Sequence, residues 1–283
     1  MTDMYILLTG GHTGLGLGVT KKLLKAGNKI GLIIRNETRK QQTISEFDTL
    51  PKEFVDDIDF FYADLSDQVQ VKTVVQEILE KWPRIDRLFN NAAILDPRNE
   101  RQVSKQGNER HLEINVLAPL LLTRGLQPLL ENSADAKVIT TVTTGMGRRK
   151  LRVDQILNLN YKRGGTLYMQ SKQAVYHLMN DLSQEMPTVK FIAVDPGPNR
   201  TKMAQQNSMP TIMRLAVRFF FNDPKIGTQR IYDAGFDERF SAENRVYITG
   251  DKVVTVKHGM TAQDKRALLA GIHSYDLAQG KIN

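Results

Sequence analysis

Tyr168 and Lys172 stand four residues apart in the run YMQSK. On a helix, that spacing puts both side chains on one face as neighbours. A free phenol titrates at about pH 10, too high for efficient proton exchange near neutrality. An ammonium group beside it stabilises the phenolate and lowers that value. Such a pair can move the proton that accompanies hydride transfer between a carbonyl and an alcohol. Alone, it is as readily a surface tyrosine and a surface lysine one turn apart. It gains weight from what lies upstream, the glycine-rich stretch TGGHTGLG at residues 9–16.

That stretch follows a run of strand character and opens a helix-like one, the context in which such glycines hold a dinucleotide. Gly10 allows the tight turn, Gly14 lets the backbone approach a pyrophosphate, and Gly16 permits close packing of the helix. The helix N-terminus attracts the phosphates. His12, Thr13 and Leu15, between the glycines, belong to the same expected cradle, and His12 can approach a phosphate or simply sit exposed. The next strand end decides the cofactor. A ribose 2′-hydroxyl calls for an acid there, and a 2′-phosphate for an arginine. The chain reads IIRNETRK, with Arg35 and then Arg39. Both arginines can pair with a phosphate, and Glu37, two positions on, is expected to face solvent. NADP(H) is therefore expected over NAD(H).

These residues need a scaffold that brings strand ends together. Apolar runs recur at 5–10, 29–35, 58–64, 85–91, 137–143 and 189–195. Helix-like stretches lie between them, at Leu15–Ala26, Asp67–Lys81, Lys105–Leu130 and Leu167–Glu185. Asp67 is a natural cap for the second, where Val71, Val74, Val75 and Ile78 recur at helical spacing. Strands alternating with helices mean βαβ units and a parallel sheet. Nearly continuous apolar strands mean helices on both faces. The expected class is α/β, a doubly wound Rossmann-type sheet in one domain over 1–283. Residues of about 196–235 are expected to form a small substrate lid. Within it, Ile212, Leu215, Ala216, Phe219 and Phe220 can share a helix face, packed on the core or covering a lipophilic substrate.

Taken in order, TGGHTGLG, Asp64–Leu65, NNAA (90–93), Asn115 in INVLAP, YMQSK and the PGPNRT turn (196–201) resemble the short-chain dehydrogenase/reductase family. The resemblance covers most of the chain. The gap before Tyr168, RFFFNDPKIGTQRIYDA and RVYITGDK are most similar to its retinol-dehydrogenase-like branch. It implies that Asp64 and Leu65 flank the adenine, Asn91 lies against a cofactor ribose, and Thr201 contacts the nicotinamide carboxamide. Ala92 and Pro196 fall within the motifs on either side. It also implies that Tyr168 exchanges the proton, and that Lys172 tunes it and bonds the nicotinamide ribose. Asn115 would hold a water linking Lys172 to solvent. The family's substrate-binding serine matches Thr144, a departure, because β-branching restricts the rotamers of a threonine. Its neighbour Thr143 is the alternative, although its side chain is expected to face away if the strand continues.

Composition bounds the rest. The 283 residues are 41% hydrophobic and 25% charged, as in globular proteins. There are no cysteines, which excludes disulfides and thiol chemistry. No His, Asp and Glu grouping has zinc-site spacing, so no metal is expected. The net charge of +8 includes a short cluster at Arg148, Arg149, Lys150 and Arg152, within an insertion over 145–165 that is expected to be solvated. Without a nucleic-acid-binding motif, a phosphate-rich cofactor explains the charge better than nucleic acid does. No run is long enough for a membrane span, no signal peptide is expected at MTDMYILLTG, and a cytoplasmic location follows as the default. The expected partner is a lipophilic carbonyl or alcohol. Family members often dimerise, but no interface is evident. Three readings stand together: an active oxidoreductase, a cofactor-binding regulatory or scaffold protein without catalysis, and a membrane-associated enzyme of lipid metabolism.

Overall fold

Alternation within the strands sorts apolar residues to two sides of one sheet. Leu7, Ile33, Leu88, Val138 and Phe191 enter one buried cluster, while Ile6, Leu8, Leu32, Phe89, Ile139 and Ile192 enter another. Both faces therefore need helices, and both receive them. The computed structural model describes residues 4–48, 50–96, 103–146, 150–159, 164–200, 221–240, 244–256 and 258–273.

The strands are β1 (Tyr5–Thr9), β2 (Lys29–Ile34), β3 (Ile58–Tyr62), β4 (Arg87–Asn90), β5 (Lys137–Thr141), β6 (Lys190–Asp195), β7 (Arg245–Thr249) and β8 (Lys252–Val253). They form one sheet in the order β3-β2-β1-β4-β5-β6-β7-β8. Every pairing is parallel except β7 with β8. From β1 the chain winds outward through β2 to β3, then returns to β4 on the other side. The order reverses between β1 and β4, so a crevice opens at their carboxyl ends.

All six expected strands form. β7 and β8 were not read as strands, RVYITGDK having served only as a mark of the family branch. Helix α1 (Gly14–Lys25) follows the glycine loop, then come α2 (Glu37–Ser45), α3 (Lys52–Asp56) and α4 (Gln68–Lys81). Asp67 caps α4, its Oδ1 accepting from the Val69 N–H at 3.1 Å. The expected helix over 105–130 begins at Arg110 and is broken. It runs as α5 (Arg110–Leu112), a π turn (Glu113–Leu117), α6 (Ala118–Gly125) and α7 (Gln127–Glu131). Beyond β5 lie α8 (Val153–Leu157), α9 (Gly164–Glu185), α10 (Pro224–Phe236) and α11 (Ala262–Ala270).

The second part of the expected lid is α10, whose Ile231 and Ala234 are buried in the core. The apolar face proposed over 212–220 lies outside the described residues. In the basic insertion, Leu151, Val153 and Ile156 are buried while Arg152 pairs with Asp154 in solvent. Its apolar half packs as core, and its described charges stay wet. Among the described residues, no helix is long and apolar enough to cross a membrane.

Candidate active site

Two glycines of the loop, Gly10 and Gly16, sit where contacts leave no room for a side chain. Gly10 turns at φ +66°, and a Cβ there would meet the Ala92 backbone at 2.9 Å. On Gly16 it would lie 2.2 Å from the Gly10 carbonyl oxygen and 2.5 Å from Asn91 Nδ2. The β1 and β4 ends are tied together at this point. Thr9 Oγ1 accepts from the N–H groups of Asn91 (3.0 Å) and Ala92 (3.1 Å). Asn91 Nδ2 donates back to the carbonyls of Thr9 and Gly10, each at 3.4 Å. Thr13 caps α1 through an extended backbone and makes no side-chain cap bond. The first-turn N–H groups of α1 therefore suit an anion.

A cationic corner adjoins the loop. Arg35 follows β2, and Arg39 lies in the first turn of α2, where its N–H donates to Asn36 Oδ1 at 3.0 Å. Arg35 Nε is 3.3 Å from Asp64 Oδ2. His12 sits among them, its pKa lowered by burial and then by Arg39 and Arg35, and its buried Nδ1 has no hydrogen-bond partner. Glu37 turns away, as expected, accepting from the Tyr62 hydroxyl and from Gln41 Nε2. Burial works to raise the Asp64 carboxyl. Two bonds from Ser66, with Arg35 and Arg110, outweigh it and hold the group below the usual range.

At the other end, α9 carries Tyr168 and Lys172. Lys172 is 2% exposed, and its Nζ donates to the Thr141 carbonyl at 2.7 Å. Burial pushes its pKa down to about 7. Tyr168 is pushed up to about 12, first by burial and further by Asp195, against a lowering hydrogen bond with the Thr143 hydroxyl. The expected lowering of the phenol by Lys172 is thus reversed. A low-dielectric pocket disfavours the charged form of both groups at once.

Thr143, not Thr144, meets the tyrosine. Thr141 ends β5, and its Oγ1 donates to Asn91 Oδ1 at 3.3 Å. The chain then turns through Gly145 at φ +78°. Thr144 is sent instead to Asp195, where its Oγ1 donates to Oδ1 at 3.0 Å.

Asn115 occupies the π turn, a form often found at functional sites. Its Oδ1 accepts from the Ile94 N–H at 2.8 Å, and its Nδ2 donates to the Ile94 carbonyl (3.0 Å) and Ser171 Oγ (2.9 Å). Ser171 in turn donates to the Tyr168 carbonyl at 2.8 Å. Asn115 therefore clamps the β4 loop to the helix carrying Tyr168 and Lys172.

A cavity of about 510 Å³ joins the glycine loop, the cationic corner and Tyr168. The short chain dehydrogenase family model matches residues 4–211. The chain belongs to the short-chain dehydrogenases. The human protein "Dehydrogenase/reductase SDR family member 12" is 28% identical over 192 residues, covering 68% of this chain and 59% of its own length. The chain thus spans about three fifths of that relative. An Escherichia coli CFT073 short chain dehydrogenase complexed with NADPH has a TM-score of 0.66 at 22% identity, covering 87% of this chain and 96% of its own. A Brucella melitensis 3-ketoacyl-(acyl-carrier-protein) reductase complexed with NADH has a TM-score of 0.66 at 21% identity, covering 88% and 96%. Both structures share the fold.

In this short-chain dehydrogenase the expected residues Gly10, His12, Thr13, Gly14, Leu15, Gly16, Arg35, Asp64, Leu65, Asn91, Ala92, Thr144, Tyr168, Lys172 and Pro196 line the one cavity. Asn115 stands behind it, and Thr201 lies outside the described residues. Sequence reasoning named Thr143 only as the neighbour that could stand in for Thr144, and it missed Ser171 and Asp195, whose contacts are to residues distant along the chain.

Proposed function

We propose that this short-chain dehydrogenase is an NADP(H)-dependent oxidoreductase that interconverts a carbonyl and an alcohol. One juxtaposition carries the reading: the Tyr168 phenol, bonded to Thr143, lines the same cavity as the glycine loop that opens α1. The residues fit a dinucleotide. Gly10, Gly14 and Gly16 with the α1 N-terminus would hold the pyrophosphate. Arg35, Arg39 and the unpartnered His12 nitrogen would hold a 2′-phosphate. Related structures carry NADPH or NADH, so the preference rests on those basic side chains. When bound, the nicotinamide supplies or receives the hydride.

The chain's own residues manage the proton. Tyr168 is a phenol through neutral pH, the form that donates to a carbonyl oxygen. Thr143 can orient that oxygen as a second donor, the role expected of Thr144. Lys172, titrating near 7 in the fold, favours the phenolate whenever it is charged. Asn115 and Ser171 hold the helix that aims both. Ile94, Leu95, Val142 and Phe221 supply apolar wall, which suits a lipophilic substrate. The test is Tyr168→Phe, assayed by NADPH consumption with a panel of carbonyl compounds. Turnover is expected to fall by about 100-fold or more while NADPH binding persists. Undiminished turnover overturns the reading.

A further inference from the structure

The loop after β4 is held by a second side chain besides Asn115. His111 lies four residues earlier, in α5, and is buried. Its Nε2 accepts from the Asp96 N–H at 3.1 Å. A backbone N–H can only donate, so Nε2 is bare and Nδ1 carries the ring proton. That Nδ1–H donates to Glu109 Oε1 at 2.8 Å. Glu109 is buried too, and its Oε2 accepts from the Leu112 N–H at 3.0 Å. The carboxylate therefore fixes both the orientation and the tautomer of the imidazole. Asn115 grips both backbone groups of Ile94, and His111 grips Asp96, so the loop is pinned on either side of Leu95. Ile94 and Leu95 both line the cavity, as does Ile114 of the π turn.

We propose that His111, oriented by Glu109, is a positioning residue that sets the apolar wall at Ile94 and Leu95 and so decides which lipophilic carbonyl compounds the cavity accepts. The inference rests on the oxidoreductase reading above and names the part of that site which selects substrate. His111 itself does not line the cavity, so it acts through the backbone of the loop. Without its acceptor, the part-buried Asp96 N–H is left unpaired, and the loop shifts to bring it a new partner. Leu95, next to Asp96, moves with it. An apolar wall displaced by the width of a methylene changes how well a long substrate packs, while the reacting groups stay where they were. Two supports set the precision of such a wall, because side chains on a loop are only as fixed as the bonds behind them.

Two substitutions separate the two bonds of the ring. His111→Asn puts an amide where Nδ1 stands, keeps a donor for Glu109 and stops short of Asp96. His111→Gln reaches the place of Nε2 with its Oε1 and keeps the acceptor for Asp96. Steady-state kinetics with a short-chain and a long-chain aldehyde, and calorimetric titration with NADPH, compare them with the wild type. His111→Asn is expected to raise KM for the long-chain aldehyde by about 10-fold, with kcat and NADPH affinity within about twofold of the wild type. His111→Gln is expected to restore the wild-type KM. An unchanged KM in His111→Asn overturns the inference, and so does an equal rise in both variants. Should His111→Asn fail to fold, amide hydrogen exchange at Asp96 decides: protection in the wild type and in His111→Gln supports the inference, and free exchange in either overturns it. A wild-type chain that reduces no carbonyl compound is a failure of the oxidoreductase reading, and the Asp96 amide then still tests the clamp.

Discussion

Replacing Lys172 with methionine should stabilise this protein below neutral pH. The ammonium lies almost wholly out of solvent, and burial alone moves its pKa from 10.5 to about 7. Each pH unit is worth about 1.4 kcal/mol, so the charged form is disfavoured in the fold by up to roughly 5 kcal/mol. Methionine matches the stem in length and carries no charge. It forfeits the bond to the Thr141 carbonyl, worth about 1.5–3 kcal/mol when the donor is charged. The net gain expected at pH 6 is on the order of 2 kcal/mol. The sign changes with pH. Between 7 and 10.5 the unfolded wild type binds a proton that the folded protein does not, so wild-type stability rises with pH across that window. Near its upper end the charge penalty is gone, and the variant should be the less stable by about 1 kcal/mol through its lost hydrogen bond. Urea unfolding followed by the single tryptophan, Trp82, at several pH values compares the two chains. A stability difference that stays constant from acid to alkaline pH refutes the reasoning.

The two threonines separate cleanly. Thr143→Val should cut turnover by about 10- to 100-fold and Thr143→Ser should restore it, whereas Thr144→Ser should leave turnover close to the wild type. Steady-state kinetics on one carbonyl substrate checks all three. Arg35→Ala and Arg39→Ala should each weaken NADPH by about 10- to 100-fold, the loss of one charge-assisted contact. NADH should change little, and calorimetric titration with both cofactors reads the difference. Gly16→Ala places a methyl 2.2 Å from the Gly10 oxygen, so dinucleotide binding should be lost and the unfolding midpoint lowered. Unaltered binding would mean that the loop is not the cradle.

Periodicity and motif order sufficed for the six strands, the two-sided burial, the glycine turn and the tyrosine–lysine pair, because each follows from neighbours close along the chain. Gly10 and Gly16 were readable since a left-handed turn and a near contact both demand glycine. Arg35 was readable since a strand end has one place to put its next side chain. The helix over 105–130 was less so: the π turn exists to set Asn115 against Ile94 and Ser171, contacts 21 and 56 residues distant. Thr144 was matched to the family's serine and Thr143 was expected to face away if the strand continued, but β5 ends at Thr141 and the chain turns at Gly145. Asp195 was passed over as an ordinary strand end. What its carboxylate and Lys172's ammonium do depends on how much water reaches them, and desolvation is a property of the packed whole. The chain's order of residues specified which chemical groups were present and which element carried each. Their mutual distances and charges were decided only when the two faces of the sheet closed over them.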